Sequence, residues 1–84
     1  MKMNGGIIEI DIHGMNQYQA KTYIDSQLKK AKTNVYRLRI VHGFHQGDAL
    51  RKMVRQTYRH HPKVIKIEIG LNPGITDLVL RNII

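Results

Sequence analysis

Apolar and polar residues alternate along four short stretches of the chain, and two longer stretches of helical periodicity lie between them. The alternation predicts strands over residues 7–12, 35–41, 64–69 and 76–80. Apolar spacings of three and four predict one helix that Asn16 and Gln19 can cap, and a second that starts at Gly47 or Asp48. The order β-α-β-α-β-β predicts an α/β fold: a single two-layer domain with two helices and a mainly parallel or mixed four-stranded sheet.

The chain has 84 residues, which leaves room for one domain. Residues 1–6 form a short lead-in in this prediction, and residues 7–84 form the domain. Without cysteine there is neither a disulfide framework nor a thiolate nucleophile, which suits a reducing compartment. The N-terminus has no secretion-signal pattern, and no apolar run is long enough to span a membrane. We therefore expect a cytoplasmic protein that does not bind membranes.

Positive charge is in large excess and is concentrated between Arg37 and Lys66, a segment with eight basic residues and one acidic residue, Asp48. Fourteen Lys and Arg residues against six Asp and Glu give a formal charge of +8. In the second helix Arg51, Arg55 and Arg59 recur every four residues and line one face, with Lys52 beside them. This distribution is typical of a protein that binds a phosphate backbone, so we expect a nucleic-acid partner, DNA or RNA.

Two groups of chemically active residues follow the first two helix-linked strands. Ligands of open α/β sheets gather at the carboxyl ends of parallel strands, where this sequence places Asp11, His13, His42, Gly43, His45 and Gly47. The glycine loop that opens the second helix can seat a phosphate on its backbone N–H groups, although a tight turn needs glycine too. The histidines and the aspartate can likewise either hold turns or transfer protons.

If they transfer protons, these residues fit an endonuclease site with Asp11, His13 and His42 as catalytic residues. Histidines supply a general acid and base near neutral pH, and Arg51 with the loop amides would stabilise the developing negative charge. Asp11 would orient His13 or hold a divalent cation. RNA carries its own nucleophile and needs no metal, whereas DNA needs an activated water. Phe44 is the one evident residue for base stacking.

Several segments of the chain resemble the Smr (small MutS-related) domain family. Residues 10–14, Ile-Asp-Ile-His-Gly, resemble its LDxHG motif, and residues 39–43, Arg-Ile-Val-His-Gly, with Gly47 resemble its HGxG-type motif. Residues 61–64 and 72–76 resemble later landmarks of the family, so that the resemblance extends over nearly the whole chain. The chain departs from the pattern where His45 replaces a second glycine, in a loop that is about one residue longer.

This resemblance implies a fold similar to the C-terminal domain of a bacterial translation initiation factor. It also implies nucleic-acid binding and endonuclease activity on DNA or RNA, with Asp11, His13, His42 and Gly43 as the active positions. Two alternatives stay open: a nucleic-acid-binding module without catalysis, and a module that docks on a ribosome or another protein. The metal requirement and the oligomeric state, a monomer included, are open as well.

Overall fold

A computed structural model describes residues 2–44 and 48–82 of the chain, apart from the side chain of Lys2. Its helices are α1 (Gln17–Lys30) and α2 (Asp48–Tyr58), and its strands are β1 (Lys2–Asn4), β2 (Ile7–Asp11), β3 (Arg37–Val41), β4 (Lys66–Glu68) and β5 (Ile75–Val79). The strands form one sheet in the order β1-β2-β3-β5-β4. The predicted α/β fold, with a mixed sheet and two helices, is confirmed.

The sheet has a fifth strand in the segment that the sequence analysis treated as a lead-in. β1 pairs antiparallel with β2, and Lys2 lies opposite Glu9. The turn between the two strands places Gly5 and Gly6 at φ values of +59° and +84°, a region in which glycine is favoured because it has no Cβ. A three-residue strand is too short to show alternation, so the sequence pattern does not reveal it.

The position of β5 explains why the sheet is mixed. β2 and β3 pair in parallel across α1, whereas β5 runs antiparallel to β3 on one side and to β4 on the other. The tight turn before β5 accounts for its direction relative to β4, as the sequence indicates. Its insertion between β3 and β4 brings it beside the strand that carries the second motif.

The core lies between one face of the sheet and both helices. The buried side chains of β2 and the residue after it are Ile8, Ile10 and Ile12, as their alternation predicts. They pack with residues spaced one helical turn apart, Ala20, Ile24 and Leu28 on α1 and Leu50, Val54 and Tyr58 on α2. The helices are also joined through polar groups, because the Tyr58 hydroxyl donates to Asp25 Oδ1 at 2.6 Å. The cap predicted for α1 is present, with Asn16 Oδ1 accepting from the Gln19 amide at 2.7 Å.

The opposite face of the sheet carries a charged cluster. Asp77 on β5 is only 7% exposed. Its carboxylate accepts from Arg37 Nη1 at 2.7 Å and from Arg39 Nε and Nη2 at 3.0 and 3.1 Å. Glu68 pairs with Arg37 as well. These two arginines therefore neutralise buried or neighbouring carboxylates within the domain, and contribute little to the excess of positive charge around α2.

Candidate functional site

The two motifs meet at one edge of the sheet because their strands pair in parallel register. Asp11 lies opposite Val41, and the Ile12 amide extends the pairing by donating to the Val41 carbonyl at 2.9 Å. The next residues on each strand are therefore also neighbours. A Cβ placed on Gly43 would lie 3.6 Å from the Cβ of His13.

Asp11 and His13 form a hydrogen-bonded pair at the end of β2. Asp11 Oδ1 accepts from the backbone N–H of His13 at 3.0 Å and lies 2.6 Å from His13 Nδ1. The hydrogen bond from the His13 side chain lowers the pKa of Asp11, which keeps the carboxylate ionised and accepting. Because a carboxylate only accepts, Nδ1 is the ring nitrogen that donates in this contact, and Nε2 points away from Asp11 as the second ring nitrogen. The side chain is 71% exposed, and no group among residues 2–44 and 48–82 bonds to Nε2.

His42 occupies a different environment, although it follows β3 as His13 follows β2. It is 1% exposed, and both ring nitrogens are bonded within the domain. Nδ1 lies 2.9 Å from the Gly43 carbonyl oxygen and Nε2 lies 2.8 Å from Thr76 Oγ1. Since a carbonyl only accepts, Nδ1 carries the proton, and the Thr76 hydroxyl donates to Nε2. Burial lowers the pKa of His42, and the positive charges of Arg55 and Arg51 act in the same direction.

Thr76 is the residue that connects His42 with the basic helix. It is fully buried on β5, and its Oγ1 also accepts a hydrogen bond from Arg55 Nε at 3.1 Å. One hydroxyl therefore orients both a histidine and an arginine. The sequence analysis did not single out Thr76, because nothing in its local pattern indicates which residue lies across the sheet from it.

A turn before β5 holds the second motif in place. The Gly74 carbonyl accepts from the amides of His42 at 2.9 Å and Gly43 at 3.1 Å, while Asn72 Oδ1 accepts from the Gly74 amide at 2.9 Å. Gly43 has φ +87°, which a side chain would disfavour. The sequence analysis assigned this glycine loop to phosphate binding, but the Gly43 N–H already donates to the Gly74 carbonyl.

The basic residues of α2 fall into two groups. Arg51 and Lys52 both pair with Asp48 in the first turn of the helix, Lys52 at 3.3 Å. Arg55 is half-buried. In the described part of the chain, its Nε donates to the Thr76 hydroxyl, and no carboxylate pairs with it. Arg59 lies beyond the helix end, in an exposed turn. The predicted sites at His45 and Gly47 lie outside the described residues.

A cleft of about 650 Å³ opens between the loop after β2 and the loop after β3. His13 and His42 belong to its lining, and so do Asn16 and Gln17 at the start of α1. The remaining lining residues are glycine or apolar: Gly14, Met15, Val41, Gly43, Phe44, Ala49 and Leu50. The cleft thus adjoins the Asp11–His13 pair and the first turn of the basic helix.

Among the described residues, no three His, Asp or Glu side chains gather to form a metal site. Asp11 therefore does not belong to a metal-binding cluster of these residues, and its Oδ1 already accepts from His13.

Neither α1 nor α2 has the length and apolar character that crossing a membrane requires.

Comparison with known proteins places the chain in a family. The family model of the Smr domain matches residues 10–72. The chain belongs to the Smr domain family. Its structure is similar to the crystal structure of the Smr domain of MutS2 from Thermus thermophilus, with a TM-score of 0.79 and 28% sequence identity. That match covers 89% of this chain and 99% of the other. A search among curated proteins finds no match. These matches confirm the resemblance to the Smr family that the two sequence motifs of this Smr domain indicated.

Proposed function

We propose that this Smr domain binds nucleic acid and cleaves its phosphodiester backbone as an endonuclease, with His13 as the proton-transfer residue. The observation that carries the proposal is the Asp11–His13 pair at 2.6 Å, whose Nε2 is left for a substrate at the cleft. A carboxylate bonded to one ring nitrogen selects the tautomer and makes the other nitrogen available for proton transfer. Membership of the Smr family supports the same class of activity.

RNA is the substrate that these groups fit best. His13 Nε2 accepts the proton of the 2′-hydroxyl as the 2′-oxygen bonds to phosphorus. The bond between phosphorus and the 5′-oxygen breaks, and the leaving oxygen receives a proton from the imidazolium or from water. The products are a 2′,3′-cyclic phosphate and a 5′-hydroxyl. Hydrolysis of DNA would need an activated water, for which a divalent cation is the usual aid, and the described residues do not cluster the ligands for one.

Arg55, together with Arg51, which pairs with the exposed Asp48, supplies the positive charge for the phosphate. Both lie on α2, close enough to the cleft-lining His42 to lower its pKa, after the larger effect of burial. Thr76 engages Nε of Arg55, and within residues 2–44 and 48–82 its two Nη groups have no hydrogen-bond partner, so that they can face phosphate oxygens as a fork. Lys52 and Arg59 are exposed and would contact the backbone farther from the reacting phosphate.

In this proposal His42 is a positioning residue instead of a proton-transfer residue. Its two ring nitrogens already have partners, and its ring is 1% exposed. It fixes the Gly43 loop through one nitrogen and shares Thr76 with Arg55 through the other. The roles of His45 and Gly47 in phosphate binding stay predictions.

The test is a cleavage assay with labelled single-stranded RNA and with supercoiled plasmid, each with and without a chelator. We expect RNA cleavage in chelator, and a loss of about 100- to 10,000-fold in His13→Ala, the usual contribution of a positioned acid or base. His60→Ala is the matched control, because His60 is exposed in the turn after α2. Equal cleavage by His13→Ala and the parent would refute the assignment. Salt-dependent binding without any cleavage would favour the non-catalytic module.

Binding is tested separately through its salt dependence. Replacing Arg51 by Gln should reduce the slope of log affinity against log salt by about one, since one phosphate contact is lost. The control is Arg81→Gln, which removes the same charge from a side chain that donates to the Val35 carbonyl. Val35 precedes β3, and His42 follows the other end of that strand. An unchanged slope in Arg51→Gln would contradict the proposed phosphate contact.

A further inference from the structure

The lining of the cleft next to His13 differs in character from a phosphate site. Its lining includes the apolar residues Met15, Val41, Phe44 and Leu50. The cationic groups lie beside it on α2 and do not form its floor. A phosphate placed inside would lose water without gaining a charged partner there, which is unfavourable. The cleft therefore suits a flat and largely apolar group attached to a phosphate that lies outside it.

We infer that the cleft holds one unpaired nucleobase of the bound strand, adjacent to the phosphodiester at His13. This rests on the proposed function and specifies its substrate class: single-stranded or unpaired nucleic acid. The cleft volume of about 650 Å³ lies within the ordinary range for small-ligand sites. Arg51 and Arg55 next to it complement the phosphates on either side of such a base.

Two side chains give the cleft the features that base recognition needs. Phe44 is 54% exposed at the cleft and offers an aromatic face for stacking. Gln17, at the first position of α1, brings an amide that both donates and accepts, as the edge of a base requires. A paired base cannot use either feature, because its faces are stacked and its edge is bonded in the duplex.

Gln17 also lines a second, polar groove that continues along α2. That groove is bordered by Lys52, Gln56 and Thr57 and by Asp48, whose carboxylate pairs with Lys52. It shares Gln17 and Ala49 with the cleft. Its polar border suits a sugar-phosphate backbone better than a base. The two adjoining depressions thus provide a base site at His13 and a path for the rest of the strand.

The experiment measures binding of short single-stranded 2′-O-methyl RNA, which lacks the nucleophilic hydroxyl and so is not cleaved by the proposed reaction. One base at a time is replaced by an abasic sugar, which removes the base and keeps the phosphates. We expect one position at which the abasic change weakens binding by about 5- to 150-fold, the range for loss of one stacked base. The duplex of the same sequence should bind more weakly.

The matched variants are Phe44→Ala and Tyr18→Ala. Tyr18 is 80% exposed on α1 and lies outside the cleft lining. In Phe44→Ala the abasic penalty should largely disappear, while in Tyr18→Ala it should persist. Equal penalties at all positions, or equal affinity for duplex and single strand, would overturn the base site while leaving the proposed function intact. Absence of any salt-dependent binding would overturn the proposed function and the base site together.

Discussion

Replacing Thr76 by Val tests the connection between the second motif and the basic helix. Valine keeps the shape of threonine and replaces its hydroxyl by a methyl group. That hydroxyl bonds to His42 Nε2 at 2.8 Å and to Arg55 Nε at 3.1 Å. The variant therefore leaves a buried imidazole nitrogen without its partner and frees a half-buried arginine, with little change in apolar packing.

The size of the effect follows from burial. Leaving a buried acceptor such as His42 Nε2 unpaired costs about 1–3 kcal/mol. Arg55 can turn toward water, so losing its bond adds only about 1 kcal/mol. Unfolding free energy should thus fall by roughly 2–4 kcal/mol. At about 4–8 °C for each kcal/mol in a domain of this size, Tm should fall by roughly 8–32 °C.

Urea unfolding followed by circular dichroism measures this loss. Thr76→Ser keeps the hydroxyl and removes one methyl group, and should cost only about 1 kcal/mol. Thr57→Val changes an exposed threonine of α2, and should stay within about 0.5 kcal/mol of the parent. If Thr76→Val were as stable as Thr76→Ser, the hydroxyl would not hold His42 and Arg55 together.

Three further predictions concern stability. The lowered pKa of His42 means that the folded chain takes up its proton less readily than the unfolded chain. The stability this provides should be complete above pH 6.5 and lost as pH falls through the folded pKa, and NMR titration of the His42 ring should give a midpoint below 6.5. Tyr58→Phe should cost about 1–2 kcal/mol in urea unfolding, because Asp25 loses a charged hydrogen bond but stays accessible to water; no loss would show that this bond adds no net stability. Gly43→Ala should cost about 1–2 kcal/mol because of its φ of +87°, while Gly70→Ala, which has ordinary φ and open space, should be near neutral. Equal effects of the two glycine changes would contradict this reason.

The local elements and the motif positions could be predicted from the sequence. Alternating isoleucines specify the inward face of β2, and Asn16 with Gln19 caps α1, because strand period and capping depend on neighbours a few residues apart. The same local rules placed His13 and His42 at strand ends. Parallel pairing then brought both residues to one edge, as the order of elements implied.

Only the tertiary structure decided how the two histidines differ. Asp11 is two residues from His13, so the sequence itself allowed that pair. His42 is bonded to Thr76, 34 residues away, and it is buried because β5 is inserted beside β3. Likewise, Arg37 is neutralised by Asp77, 40 residues along the chain. Periodicity records the contacts of a residue with its own helix or strand, whereas burial and charge pairing depend on which strands become neighbours, and that is fixed only when the sheet assembles.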